Sequence, residues 1–224
     1  MTIKYQLDAD ANFKMPESIS RDPLVWVDCE VSRLKKFSIP DCNRLQMTGL
    51  DIENDVLLSI ACFVTDYDLN LLDEQGFEVV IHRDQEVMDR MDEWCTKTHR
   101  ASGLTADVLA STVTPDQAAE KLLEYVKDHV PQPERALLAG NTVHQDRAFL
   151  RKPPFTEVVA YLHHRILDVS TIKEAARRWA PKDLVKNTPR KMGQHKARQD
   201  ILESIEEAKY YRDVFFKKAQ SAKE

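Results

Sequence analysis

Three strand-like runs follow one another before any long helical run. Val25–Val27 closes on Asp28 and Glu30, Val56–Thr65 (VLLSIACFVT) is rich in apolar residues, and Phe77–His82 (FEVVIH) pairs naturally with it. After these the pattern changes. Residues 84–100 read as a loosely amphipathic helix, and Thr114-Pro115-Asp116 is a helix start, with Thr114 as N-cap and Pro115 at the first helical position. Strand ALLAG (136–140) leads into a helix through Asp146 to Leu150, and strand RILDV (165–169) into a helix at 170–179. A polar, basic loop at 181–193 precedes a last helix from near His195 to about Lys217. Three consecutive strands followed by strand–helix alternation predict a mixed five-stranded α/β sheet flanked by helices, not a doubly wound parallel one.

At 224 residues with 42% hydrophobic and 31% charged content, the chain suits one α/β domain with a sizeable core. No apolar run approaches the roughly 18 residues that a membrane helix requires. Asp8 and Asp10 in a start without an apolar core argue against a signal peptide, and they weigh toward the cytoplasm over the mitochondrion. The four cysteines, Cys29, Cys42, Cys62 and Cys95, have neither CxxC nor zinc-like spacing, which reads as reduced thiols in an intracellular protein. A net charge of -5 is not that of a protein that coats long nucleic acid. It leaves open a nuclease whose carboxylates are neutralised by metal ions.

Residues i and i+2 of a strand share a face, so Asp28 and Glu30 can converge on one ion, although such a pair is more often a solvated edge. Asp146, taken alone, is a first-turn helix acid favoured by the dipole. His195 and Asp200 stand five apart, about 140° on a helix. They converge only if His195 lies at or before the first turn. The order of the pieces is what singles them out: Asp and Glu on the first strand, Asp on a mid-chain helix, then His five before Asp on the last helix. With the surrounding text DCE…MTGLD, LLSIACFVTD, EWC, SGLT, GNTVHQDRAFL, RILDVSTIKEAARRW and ARQDILESI, the chain resembles the oligoribonuclease branch of the DEDDh 3′-to-5′ exonucleases. The resemblance covers about residues 23–215 apart from a segment at 31–46.

That resemblance implies a ribonuclease H-like fold and hydrolysis of very short RNA, dinucleotides preferred, to nucleoside 5′-monophosphates. It implies Asp28, Glu30, Asp146 and Asp200 as ligands of two Mg²⁺ or Mn²⁺ ions, and His195 as general base. Leu50 matches an apolar wedge against the bases, and Trp94 and His99 match residues that bracket the 3′ nucleotide. On residue type alone Trp94 reads better as core and His99 as a surface histidine. Thr142, Arg165 and Ser170 match positions that cap the 5′ phosphate in relatives. His164 stands where relatives commonly place a Tyr that reaches the site from the partner of a homodimer. Two alternatives remain: a related DEDDh exonuclease on longer RNA or DNA, or an impaired nucleic-acid-binding or dimerisation subunit. The implied organisation is an N-terminal extension at 1–22, poorly ordered, an exonuclease domain at 23–217 and a tail at 218–224.

Residues 31–46 (VSRLKKFSIPDCNRLQ) part Glu30 from Met47-Thr48-Gly49-Leu50-Asp51, a tight turn that in relatives follows at once. One reading is a polar, basic surface loop, which costs little in closure entropy. The other comes from the genetic code. Val-Ser can be written as a splice-donor sequence, Leu-Gln as an acceptor and Pro-Asp as a branch point, so these sixteen codons also read as a translated in-frame intron.

Overall fold

The computed structural model describes residues 21–33, 51–189 and 196–217. Leu50, His195, most of the 31–46 segment, nearly all of the N-terminal extension and the tail from 218 lie outside these residues.

In chain order the elements are β1 (Leu24–Val31), β2 (Leu57–Thr65), β3 (Phe77–Val80), α1 (Gln85–Asp89), α2 (Glu93–Ser102), α3 (Leu104–Ala110) and α4 (Pro115–His129). There follow β4 (Leu137–Gly140), α5 (His144–Leu150), α6 (Thr156–Tyr161), β5 (Ile166–Asp168), α7 (Val169–Trp179), α8 (Lys182–Lys186) and α9 (Ala197–Tyr211). The sheet order is β3-β2-β1-β4-β5. β1 pairs antiparallel with β2 and parallel with β4, so the mixed sheet follows from one central strand with two kinds of neighbour.

Helices cover both faces, which is why all nine residues of β2 are buried. Val25 and Val27 of β1 pack with Leu122 and Val126 of α4 and with Phe149 and Val158. Trp26, one step out of phase, packs with Phe63, Ala139, Val169 of α7, and Ile201 and Ile205 of α9. The period of two therefore directs Asp28 and Glu30 to the α9 side.

α4 begins as expected, with a full capping box between Thr114 and Gln117. The helix expected over 84–100 is instead two. It breaks at Arg90–Asp92, where the Asp92 carboxylate accepts from Cys95 N at 2.7 Å and starts α2. α3, α6 and α8 were not expected, being short helices in stretches that read as connections. The regular part of the last helix ends at Tyr211 and passes into a wider π turn over Arg212–Lys217.

β1 does not end at the acid pair. Val31 continues it opposite Leu57, across a bulge that leaves Leu58 without a partner on β1. Ser32 is wholly buried; its N–H donates to Val56 O (2.9 Å) and its Oγ accepts from Val56 N (3.0 Å). Arg33 has φ +35°, in the left-handed region that favours glycine. Its carbonyl accepts from Asp92 N (2.9 Å), its Nε lies 3.7 Å from the Asp92 carboxylate and its guanidinium stands 5.7 Å from the Trp94 ring centre. The first three residues of the 31–46 segment thus belong to the strand end, because backbone pairing with β2 persists past Glu30.

Candidate active site

β1 outruns its parallel neighbour. β4 pairs with it only from Leu24 to Trp26 and stops at Gly140. A Cβ on Gly140 would stand 3.0 Å from Val27 O, a tight approach of the two backbones that favours glycine there. Beyond that point the Cys29 N–H has no β4 carbonyl, and Asp146 Oδ1 from α5 accepts it at 2.9 Å. Asp200 is supplied by the first turn of α9.

Three carboxylates meet here. Asp28, Glu30 and Asp200 each offer an oxygen within 4.8 Å of the others. Asp146 is not one of this group of three; it lies against Asp28 and Cys29, whose charge and N–H it feels. Burial first, then the charges of Asp28 and Asp200, push the Glu30 carboxyl up to about 8. Burial and Asp28 likewise raise Asp146 well above the usual carboxylate range. Burial and the same acids also hold Cys29 as a neutral thiol, which removes it as a nucleophile. Crowded oxygen ligands of one charge suit a hard divalent cation.

These shifts carry a sign. A carboxyl raised from 4.5 to about 8 keeps its proton longer in the folded than in the unfolded chain. The associated stability is complete below pH 4.5 and lost as pH rises through about 8. In a chelator, the melting temperature should therefore fall from pH 5 to pH 8, and millimolar Mg²⁺ should restore most at pH 8. For a chain of this size each kcal/mol is worth about 2–4 °C. A chelated protein whose melting point stayed flat over this range would contradict the repulsive cluster.

Beside Glu30 lies a cleft of about 470 Å³, lined also by Ser59, Ser102, Leu104, Lys196 and Arg198, which is ample for a small ligand. Trp94 is 52% exposed, so it is not the core residue that its type suggests. His99 is buried, its Nε2 3.1 Å from Val31 O. The structure brings Thr142 and Ser170 together, hydroxyl to hydroxyl at 3.1 Å. Arg165 is exposed, at the head of β5, and His164 stacks on His163 with ring centres 4.2 Å apart. The two histidines line a second cleft of about 630 Å³ with Arg147 and Arg151.

Sequence reasoning missed Asp168. One of its oxygens accepts from both Thr142 N and Ser170 N at 2.9 Å, and the other contacts His144 Nδ1 at 3.2 Å. It fixes Thr142 at φ +59°. Its position as the N-cap of α7 was the available signal.

A family model described as "Exonuclease" matches residues 45–208. That match begins at the last two residues of the 31–46 segment and leaves β1 out. The probable oligoribonuclease of Dictyostelium discoideum is 49% identical over 196 residues, 87% of this chain and 90% of that one. The mitochondrial oligoribonuclease of Mus musculus is 46% identical over 200 residues, 89% of this chain and 76% of that one. The chain belongs to the oligoribonuclease family. Among solved structures, the nuclease domain of 3′hExo, a DEDDh family member bound to rAMP, superposes with a TM-score of 0.54 at 12% identity, covering 87% of this chain and 94% of that domain. S. pombe Pop2p, in a form with Mg²⁺ and Mn²⁺ bound, gives 0.59 at 13% identity over 87% of this chain and 84% of its own. The fold is that of the ribonuclease H-like exonucleases, as the strand order anticipates. Like its oligoribonuclease relatives the protein is a nuclease. No described helix is long and apolar enough to cross a membrane.

Proposed function

We propose that this oligoribonuclease family member removes nucleoside 5′-monophosphates from the 3′ end of very short RNA, dinucleotides above all, with two Mg²⁺ or Mn²⁺ ions. The carrying observation is the convergence of Asp28, Glu30 and Asp200 within 4.8 Å, with Asp146 against Asp28. Asp28, Glu30 and Asp200 would hold one ion, and Asp28 with Asp146 the other. When bound, such ions activate water and neutralise the phosphate and the leaving 3′-oxygen.

The remaining roles belong to the protein's own side chains. His195, just before α9, accepts the proton of the attacking water, a task that suits an unperturbed pKa of about 6.5. By the family resemblance Leu50 is the apolar wedge against the bases, and Trp94 and His99 bracket the 3′ nucleotide. The Thr142–Ser170 pair and Arg165 receive the 5′ phosphate. Two hydroxyls only 3.1 Å apart can act together on one phosphate, which supports that reading. In a homodimer the His164 ring would complete the partner's site, and its exposed stack on His163 supports that reading.

The test is the rate of 5′-monophosphate release from 3′-labelled RNA of two to ten residues, with and without Mg²⁺. Metal-dependent release that is fastest on the dinucleotide and falls with length is expected. Rates that hold steady or rise with length would instead identify a DEDDh exonuclease of longer RNA or DNA. Binding without release would leave a nucleic-acid-binding subunit.

A further inference from the structure

A single file of hydrogen bonds joins the Thr142–Ser170 hydroxyl pair to the turn of α9 that carries Asp200. Ser170 Oγ donates its one hydrogen to Asn141 Oδ1 at 3.1 Å, so in the hydroxyl pair Thr142 is the donor. On the other side of the same amide, Asn141 Nδ2 donates to Ser204 Oγ at 2.7 Å. Ser204 Oγ in turn donates to the carbonyl oxygen of Asp200 at 2.6 Å. Every donor in the file points from the hydroxyl pair toward Asp200.

The orientation of the Asn141 amide is forced. Its Nδ2 also donates to Glu207 Oε2 at 3.3 Å, and a flipped amide would set its oxygen against that carboxylate. Glu207 is 1% exposed and is itself held by Lys173 Nζ (3.1 Å) and Tyr211 OH (3.0 Å). Lys173 lies on α7, one turn beyond Ser170, so α7 and α9 are tied together through Glu207 as well as through Asn141.

We propose that Asn141, Ser204 and Glu207 are positioning residues that couple occupation of the hydroxyl pair by a terminal phosphate to the setting of Asp200. This rests on the reading above that Thr142 and Ser170 receive that phosphate. Phosphate oxygens only accept, so binding draws both hydroxyl hydrogens outward and releases Asn141 Oδ1 from Ser170. The amide then shifts its hold on Ser204. A serine that bonds back to the carbonyl four residues earlier bends its helix, so the Ser204 bond sets the local bend of α9 where Asp200 projects. A ligand that interacts differently with two settings selects between them, and the setting reached with phosphate in place is the one that aligns Asp200.

The experiment compares kcat and KM for a 5′-phosphorylated and a 5′-hydroxyl diribonucleotide at saturating Mg²⁺, in the parent and in Asn141→Ala, Ser204→Ala and Ser204→Thr. The parent should turn over the phosphorylated substrate about tenfold faster at saturation, the scale of effect that a small displacement of a positioned group produces. Both alanine variants should bring that kcat ratio close to one while the KM advantage of the phosphate remains. Ser204→Thr, which keeps the hydroxyl, should restore the ratio. Alanine variants that slow both substrates alike, or that keep the parental ratio, overturn the coupling. A parent with an advantage in KM alone also overturns it and leaves the phosphate contact standing. A parent indifferent to the phosphate in both constants removes the contact and the coupling together. Should Asn141→Ala fail to fold, the two Ser204 variants carry the comparison.

Discussion

Asp28→Asn yields a folded protein that releases nucleotides at least about 10³-fold more slowly than its parent and, in a chelator at pH 8, melts at a higher temperature. The two effects have one origin. Asp28 is grouped with Glu30 and Asp200, and its charge raises both Glu30 and Asp146. An amide in its place keeps the shape and removes the charge. Several kcal/mol of transition-state stabilisation supplied by bound ions goes with it, and each 1.36 kcal/mol is tenfold in rate. The same change relieves the repulsion that destabilises the metal-free cluster, so Mg²⁺ should add far less to the melting point of the variant. Turnover within about tenfold of the parent at saturating Mg²⁺ would remove Asp28 from the centre of the site. An inactive variant that melted lower in chelator would show that the carboxylate has a structural task instead.

Excising residues 31–46 should give a protein that is more stable and on the order of 10²-fold faster on dinucleotides. Glu30 is then joined to Met47, and Met47, Thr48 and Gly49 fall on the three strand-end positions now held by Val31, Ser32 and Arg33. Each position asks for something the replacement offers. The first is buried and apolar, and what His99 contacts there is a backbone carbonyl that any residue supplies. The second needs a buried hydroxyl to accept from Val56 N, which threonine provides. The third has φ +35°, which glycine adopts without strain.

The losses are the Arg33 contacts with Asp92 and Trp94, each worth about 1 kcal/mol or less for partly exposed groups. The gains are about 1 kcal/mol or more of relieved backbone strain and a smaller term in loop-closure entropy, about 0.6 kcal/mol for each halving of the loop. Leu50 then follows directly on the strand end, and a positioning group displaced by about 1 Å can cost on the order of 10²-fold in rate. Melting curves and dinucleotide turnover for the two chains decide the matter. A shortened protein that is slower would mean that the segment contributes to the site and is no translated intron. Equal rates would mean that it folds away without cost.

The sheet was legible because its signals are local: a run rich in apolar residues for β2, an acid pair near the end of β1, a capping box for α4. The carboxylates were legible through their order along the chain, since no one of them stands out by type. What could not be read depends on contacts across long separations. Val31 belongs to β1 because Leu57 lies opposite it, and Trp94 is exposed because its helix starts at Asp92 after a break. Asn141, Ser204 and Glu207 look like ordinary loop and helix residues until 63 or 66 positions of chain are folded back between them. Asp168 falls between these cases, a cap visible in sequence whose second task, holding Thr142 N, needs the fold.

The unequal reach of β1 and β4 also says where this architecture can hold reactive groups at all. A strand with partners along both edges has every amide engaged and no room between them. Here the parallel partner stops at Gly140, and the carboxylate of Asp146 fills the berth of a missing carbonyl at Cys29 N. Lengthening β4 by two or three residues would re-zip that edge, evict Asp146 and close the notch with every other side chain intact. The address of the chemistry is thus written in a difference of strand lengths, a quantity that no residue carries by itself and that point substitution leaves untouched.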